Sequence, residues 1–207
     1  GGAYTHAGPE IGVASTKAFT GQLAVLTMMA LKIAKEKGSV SEDRYRKLLF
    51  ELDAIPEKVE ALLKNAAAIK VIAEKYKGAS DALKLKEISY IHAEGYPAAE
   101  MKHGPIALVT ETLPVVFVAT KDSYHEKIIS NIQEIKARRG KVIAIISEGD
   151  EVIPGLADDV FFVPPADEIM APMLSCIPLQ LLSYYVGIAK GVDVDKPRNL
   201  AKSVTVE

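Results

Sequence analysis

Three apolar runs of strand length constrain the fold of this chain more than any other feature. They occupy residues 114–120, 141–146 and 160–163. Each run is apolar at consecutive positions, which is typical of strands buried on both faces of a parallel sheet. The segment between the first two runs carries isoleucines at helical spacing, at positions 128, 129, 132 and 135. This alternation predicts a right-handed, parallel α/β unit with helices on both faces of the sheet.

Residues 1 to about 90 are predicted to be helical, with apolar residues at helical spacing. Ser15 and Thr16 are placed to cap a long helix that Gly38 ends. A second helix is predicted from Ser41. Pro56 is predicted in the first turn of a third helix, whose apolar stripe continues to residue 77.

Two more helices are predicted beside the strands. One covers residues 81–90, with Ser80 as its cap, and a long one runs from Asp167 to the end of the last apolar stripe. A sheet of this class usually has about five strands. We therefore expect the sheet to be incomplete, with strands missing from the chain or supplied by a partner.

The charge balance excludes one class of partner. The chain has 27 acidic residues and 25 Lys plus Arg, for a net charge of −2. Since no basic excess is available to neutralise phosphates, no nucleic-acid partner is expected. The apolar stretches at residues 23–33 and 177–188 are shorter than the roughly 20 residues of a membrane span. No signal peptide is visible, and the sequence predicts a cytoplasmic protein without a membrane segment.

No metal site or cofactor is predicted. The single cysteine, Cys176, lies among apolar residues, and we expect a buried, inert thiol there. His6 and His92 have no partner at the spacing of metal ligands, and His125 is expected to face solvent at a helix start.

The densest polar cluster lies at residues 84–105. Lys84 and Glu87 are three positions apart, hence on one face of a helix. Such a pair either moves a proton at carbon while the cation stabilises an oxyanion, or is a weak surface ion pair. His103 precedes a Gly-Pro turn and serves either as an acid or base or as a hydrogen-bonding partner of that turn.

Two other segments carry candidate chemistry. Residues 12–17 open the first helix with free N–H groups, two hydroxyls and a lysine, which suits either an anion or sugar oxygens, or plain helix capping. Residues 193–207 have no helical or strand period, and such tails are disordered by default. A tail of this apolar content can also dock, and a docked lysine with a lowered pKa is able to attack a carbonyl.

Three motifs in this chain are shared with one family. Residues 6–20 (HAGPEIGVASTKAFT) resemble the end of the first sugar-isomerase (SIS) lobe of the glucosamine-6-phosphate synthases, the isomerizing glutamine–fructose-6-phosphate aminotransferases. The second lobe of that family is similar to residues 82–94 (ALKLKEISYIHAE) and 100–105 (EMKHGP), and its C-terminal tail to residues 195–207 (DKPRNLAKSVTVE). The motifs occur along the chain in the same order as in the family, and the resemblance covers nearly the whole chain.

The resemblance implies a role for each matching residue. Glu87 corresponds to the base that moves a proton between C1 and C2, and Lys84 to a lysine beside it. Lys202 corresponds to the tail lysine that forms a Schiff base with the open-chain ketose. His103 corresponds to the ring-opening histidine, which in the family reaches across a dimer into the neighbouring active site.

The resemblance also implies the ligands. The implied substrate-binding residues are Val13, Ser15, Thr16 and Ala201. Fructose 6-phosphate and glucosamine 6-phosphate are the implied substrate and product, and ammonia comes from a glutaminase domain that is absent here. A homodimer is implied, and no cofactor is expected.

The implied fold is a parallel-sheet, SIS-like α/β sandwich preceded by a helical segment. Residues 1–80 resemble the end of the first lobe and the linker helices, residues 81–192 the second lobe without its first strand, and residues 193–207 the active-site tail. The family's phosphate-gripping loop of Ser and Thr residues is absent from this chain. We therefore expect this chain alone to be inactive, and a non-catalytic sugar-phosphate-binding SIS module or a structural fragment remains the alternative.

Overall fold

The computed structural model describes residues 2–78, 95–121 and 123–197. Its centre is a parallel sheet whose three strands, in the order β1-β2-β3, are β1 (Pro114–Ala119), β2 (Lys141–Ser147) and β3 (Asp159–Val163). Val116 pairs with Ile143, and Ile145 with Phe161. The three predicted strands and their parallel pairing are confirmed.

Six α-helices surround the sheet within the described ranges: α1 (Lys17–Glu36), α2 (Glu42–Asp53), α3 (Ile55–Lys64), α4 (Ala66–Tyr76), α5 (His125–Ala137) and α6 (Ala171–Ala189). Short 3-10 helices occupy Ala98–His103, Pro105–Leu108 and Ile153–Gly155. The Ser41 hydroxyl accepts a hydrogen bond from the Arg44 N–H, which confirms the predicted cap of α2. The helix predicted at residues 81–90 lies outside the described residues.

Both faces of the sheet are buried. Val115 and Phe117 of β1 pack with Ile132 of α5 on one face. On the other face, Ile143 and Phe161 pack in a cluster that includes residues of α3, α4 and α6. Because side chains on both faces of the strands pack against helices, the strands need apolar residues at consecutive positions. This explains the unbroken apolar runs in the sequence.

Two predicted helix boundaries are wrong. The stripe after Pro56 is not one helix but two, because Asn65 separates α3 from α4, and asparagine favours such breaks. The last helix begins at Ala171 rather than at Asp167. The Asp167 carboxylate instead receives both guanidinium nitrogens of Arg44, with Nη2 at 2.8 Å from Oδ1, and so ties α2 to the start of α6.

Helix α6 is the most apolar of the described helices. With 19 residues and a mean hydropathy of 1.3, it is long and apolar enough to cross a membrane by length and composition alone. In the fold, however, 61% of that stretch is buried, and Leu174 and Val186 are 1% exposed. Packing within the protein therefore accounts for its composition. Cys176 is buried in this helix, as expected.

Asp158 fastens the end of α5 to the start of β2. Its carboxylate accepts hydrogen bonds from Lys136 Nζ at 2.6 Å, Lys141 Nζ at 3.2 Å and the Val142 N–H at 2.9 Å. Burial alone would raise the pKa of Asp158, but these donors outweigh it and hold the pKa at about 2.

Asp158→Asn is expected to lower the free energy of unfolding at pH 7 by about 1–2 kcal/mol. The unfolded aspartate has a pKa of about 3.9. The contribution of the carboxylate is therefore complete above that value and is lost as the pH falls from about 4 to about 2. Urea unfolding at pH 7 and pH 3 measures it, with the exposed Asp53→Asn as the matched control. A difference from wild type that is equally large at both pH values would contradict this account.

Candidate functional site

The carboxylate of Glu10 caps the start of α1. Its oxygens accept hydrogen bonds from the Thr16 N–H at 2.8 Å, the Ala18 N–H at 3.4 Å, and the hydroxyls of Ser15 and Thr16, each at 3.2 Å. Thr16 stands at the N-cap position as predicted, but its own side chain makes no capping hydrogen bond. The helix start therefore holds an anion, and that anion is a side chain of the same chain.

The hydrogen bonds to Glu10 have an electrostatic consequence. Partial burial favours the neutral acid, but the N–H groups of Thr16 and Ala18 and the two hydroxyls favour the carboxylate, so the pKa of Glu10 lies below its ordinary value. The hydroxyls of Ser15 and Thr16 are engaged by this carboxylate. Their contact with a sugar stays a prediction.

Glu10→Gln is expected to loosen the first turn of α1. A neutral amide accepts hydrogen bonds from a helix start more weakly than a carboxylate, and the difference at such exposed positions is worth about 0.3–1 kcal/mol. Hydrogen exchange at the Thr16 and Ala18 amides should accelerate by about two- to fivefold at neutral pH. The exposed Glu151→Gln serves as the control.

The effect of Glu10 should also depend on pH. A carboxyl with a lowered folded pKa stabilises the fold above its unfolded pKa, and this stabilisation is lost as the pH falls through the folded pKa. The difference between wild type and Glu10→Gln should therefore shrink below about pH 4. An unchanged protection of the two amides at neutral pH would show that the carboxylate does not hold the helix start.

The base of the C-terminal tail lies against the segment that precedes α1. The Val13 N–H donates to the Asp195 carbonyl at 3.1 Å, and a Cβ on Gly12 would stand 3.2 Å from Asp195 Oδ1. The Asp193 carboxylate accepts the N–H groups of Asp195 and Lys196, both at 3.0 Å, which turns the chain there. The tail is thus docked as far as the structure describes it, beside a residue predicted to bind the sugar.

His103 is the last residue of the 3-10 helix Ala98–His103, which packs on the α5 side of the sheet. Met101 of the same helix is buried in the cluster between α5 and the sheet, and Lys102 pairs with Glu134 of α5 at 2.7 Å. Gly104 follows with φ of 147°, a conformation that side chains rarely adopt. His103 is therefore an exposed side chain on an anchored turn, and the turn itself is the one predicted from the Gly-Pro sequence.

His125 is not solvent-facing, and the prediction for it is wrong. Its side chain is 19% exposed, and Nε2 pairs with the Asp150 carboxylate in the loop after β2. Asp150 also accepts the N–H groups of Val152 and Ile153, at 2.9 and 3.0 Å. Although burial opposes the charge, the bonds from Ile153, His125 and Val152 hold the pKa of Asp150 below its ordinary value.

The His125–Asp150 pair lies at the carboxyl edge of the sheet. At the same edge, the Lys121 N–H after β1 donates to the Ser147 hydroxyl at the end of β2, at 3.0 Å. Ligands of parallel α/β folds bind outside this edge. The pair therefore fixes the start of α5 and the loop after β2 at the edge where such folds bind their ligands. Two sequence features point to the His125–Asp150 pair: His125 is the first residue of a helix, and Asp150 follows Gly149 in a turn.

The remaining predicted site residues, Lys84, Glu87, Ala201 and Lys202, lie outside the described residues. Of the site, the structure brings together Val13, Ser15, Thr16 and the base of the tail. Across residues 2–78, 95–121 and 123–197, no group of three or more His, Cys, Asp or Glu side chains is placed to hold a metal ion.

Comparisons with known proteins agree with this architecture. The family model of the SIS domain matches residues 77–190. A protein from Bacteroides thetaiotaomicron named glutamine–fructose-6-phosphate aminotransferase (isomerizing) is 53% identical over 222 aligned positions, covering 100% of this chain and 36% of that protein. A relative of the same name from Chlorobaculum tepidum is 54% identical, with the same coverage. The chain thus spans about a third of the length of these relatives.

A solved structure is similar to this chain in its three-dimensional fold. The C-terminal domain of glucosamine-fructose-6-phosphate aminotransferase from Francisella tularensis is 40% identical and superposes with a TM-score of 0.85. The match covers 91% of this chain and 58% of that one.

Proposed function

Because this chain belongs to the SIS domain family, we propose that it is the isomerase part of a glucosamine-6-phosphate synthase and acts on fructose 6-phosphate. The observation that carries the proposal is the hydrogen bond from the Val13 N–H to the Asp195 carbonyl. It ties the base of the proposed catalytic tail to the proposed sugar-binding segment. That arrangement suits a lysine which arrives at the substrate from a docked tail.

The proposed chemistry moves one amino group and one proton. The Lys202 amine adds to the C2 carbonyl of the open-chain ketose and releases water, and ammonia then displaces the lysine to leave an imine at C2. Glu87 takes a proton from C1 and returns it to C2, so that C1 becomes the aldehyde carbon. The sum is fructose 6-phosphate plus ammonia giving glucosamine 6-phosphate plus water, without an external oxidant or reductant.

Other residues take supporting roles in this proposal. Lys84 stabilises negative charge on the substrate oxygens during proton transfer. Val13, Ser15, Thr16 and Ala201 line the sugar. Ammonia is delivered by a glutaminase domain outside this chain, and the protein works in the cytoplasm.

We propose a homodimer in which His103 opens the sugar ring in the partner's site. Two features support it: His103 is exposed on an anchored turn, and large apolar side chains of α1 are about half exposed, among them Leu26 at 60% and Ile33 at 51%. Such apolar surface is typical of an interface. Light scattering at micromolar concentration is expected to give twice the mass of one chain, and a clean monomer would contradict the shared site.

The alternative is a SIS module that binds sugar phosphates without catalysis. Unlike the enzyme, such a module needs no Schiff-base lysine and no base that moves a proton. The completed protein, which joins this chain to the remaining isomerase region of the Bacteroides relative, separates the two. Formation of glucosamine 6-phosphate from fructose 6-phosphate and ammonia supports the enzyme, whereas binding without turnover supports the module.

A further inference from the structure

The chain leaves helix α6 through a hydrogen-bonded turn. The Gly191 N–H donates to the Ile188 carbonyl at 2.9 Å, and the Val192 N–H donates to the Gly187 carbonyl at 3.1 Å. Gly191 has φ of 70°, the left-handed conformation in which many helices end. Because Gly187 is a buried residue of α6, this turn starts from the packed core. The body of the fold therefore sets the direction in which the C-terminal tail begins.

A second turn follows immediately and is held by one side chain. The carboxylate of Asp193 accepts hydrogen bonds from two successive backbone N–H groups, those of Asp195 and Lys196, with Oδ1 at 3.0 Å from each nitrogen. Aspartate commonly holds a turn in this way. Asp193 itself is exposed, whereas Pro197, just after the turn, is buried. The turn thus brings the tail back onto the body of the protein.

This second turn orients the peptide group that meets the segment before α1. The N–H of Asp195 donates to the Asp193 carboxylate, and the carbonyl of Asp195 accepts the Val13 N–H at 3.1 Å. The backbone comes close here, since a Cβ on Gly12 would lie 3.8 Å from Asp195 Cα. Asp195 is therefore held on both sides, and the bond on one side depends on the Asp193 carboxylate.

We propose that Asp193 is a positioning residue for the tail lysine. Its carboxylate fixes the turn at residues 193–196, so that the rest of the tail leaves the fold beside Val13, in the proposed sugar-binding segment. Asp193 acts through the backbone of the tail and does not take part in the chemistry. This inference rests on the proposed function, in which Lys202 is the nucleophile.

The turn brings the last fixed point of the chain closer to Lys202. Lys202 follows Asp195 by seven positions, but it follows Ala189, the last residue of α6, by thirteen. The effective concentration of a group on a flexible tether falls as about the −3/2 power of the tether length. Release of the turn should therefore lower the effective concentration of the lysine amine at the sugar by roughly two- to threefold. Loss of orientation adds to this effect.

Amide hydrogen exchange in the 207-residue chain tests the turn without any substrate. Asp193→Ala removes the acceptor, and exchange of the Val13 amide should accelerate by about fivefold or more, because the Asp195 carbonyl is no longer held in place. The Ile145 amide, in the central strand β2, should be unaffected and shows that the fold is intact. Acceleration at Asp195 and Lys196 alone, with Val13 unchanged, would overturn the proposal.

Two further variants show that the side-chain oxygen of Asp193 is responsible. Asp193→Asn keeps an acceptor at the same position and should restore the protection of the Val13 amide to within about twofold of wild type. Asp195→Ala is the matched control for this exchange experiment, because the carbonyl that accepts the Val13 N–H belongs to the backbone and is retained. Equal acceleration by Asp195→Ala and Asp193→Ala would contradict a specific role for Asp193.

The positioning role is tested in the completed protein. Asp193→Ala should lower kcat, and the rate at which borohydride traps the sugar on Lys202, by about threefold or more. The KM for fructose 6-phosphate should change by less than about twofold, since Asp193 does not bind the sugar. Asp193→Asn should restore both rates.

The two experiments separate this proposal from the proposed function. Unchanged kcat and trapping rates in Asp193→Ala, in an active protein, would overturn the positioning role and leave the proposed function intact. An inactive completed wild type would overturn the proposed function, and the role of Asp193 in that reaction with it. Retained protection of the Val13 amide in Asp193→Ala would overturn the positioning role whatever the activity.

Discussion

The 207-residue chain alone is expected to bind fructose 6-phosphate at about millimolar concentration or worse and to give no detectable product. A sugar phosphate is held by hydroxyls and backbone N–H groups around its phosphate. The only such cluster predicted from the sequence, Ser15 and Thr16, is engaged by Glu10. Because phosphate binding also positions the reacting carbons, its loss lowers turnover as well as affinity.

Titration calorimetry with fructose 6-phosphate measures the affinity. A coupled assay measures turnover in the same preparation by detecting glucose 6-phosphate, the product that proton transfer from C1 to C2 gives when no ammonia is present. Glucose 6-phosphate serves as the reference ligand for binding. Micromolar affinity or clear turnover would mean that this chain forms a phosphate site by itself.

Lys202→Arg is expected to abolish glucosamine 6-phosphate formation by the completed protein. Arginine retains the positive charge, but its guanidinium stays protonated and does not form a Schiff base. Loss of a covalent nucleophile lowers kcat by several orders of magnitude, on the order of 10³ or more. The KM for fructose 6-phosphate should change far less, because the charge is kept.

The matched control for this variant is Lys196→Arg. Lys196 lies in the described part of the same tail, where its backbone N–H, not its side chain, bonds Asp193. Its replacement should leave turnover within about twofold of wild type. An equal loss of turnover in both variants would indicate that any substitution in the tail impairs activity. Full activity in Lys202→Arg would show that Lys202 is not the nucleophile.

The sheet was predictable because most positions along its strands are buried, although Val118 and Phe162 are 38% and 43% exposed. Val115 and Val116 pack on opposite faces, in the clusters around α5 and α6 respectively. A strand that is buried on both faces must be apolar at every position, and this requirement is local enough to read from sequence. The cap at Ser41 and the first-turn position of Pro56 are local for the same reason.

Contacts between distant segments were not predictable in this way. The carboxylate of Asp167 meets Arg44, 123 positions earlier, and thereby moves the start of α6. His125 finds Asp150 across the carboxyl edge of the sheet. In the candidate site, the segment around Val13 was identified from its motif, but its contact with Asp195 depends on the whole fold between them.

Borohydride trapping of the completed protein with fructose 6-phosphate shows directly whether Lys202 forms the Schiff base. Reduction of a Schiff base fixes the sugar on the amine that formed it, and peptide mass spectrometry then locates the labelled lysine. One labelled residue, Lys202, is expected in the wild type, and no label in Lys202→Arg. A label on another lysine, or none during active turnover, would contradict it.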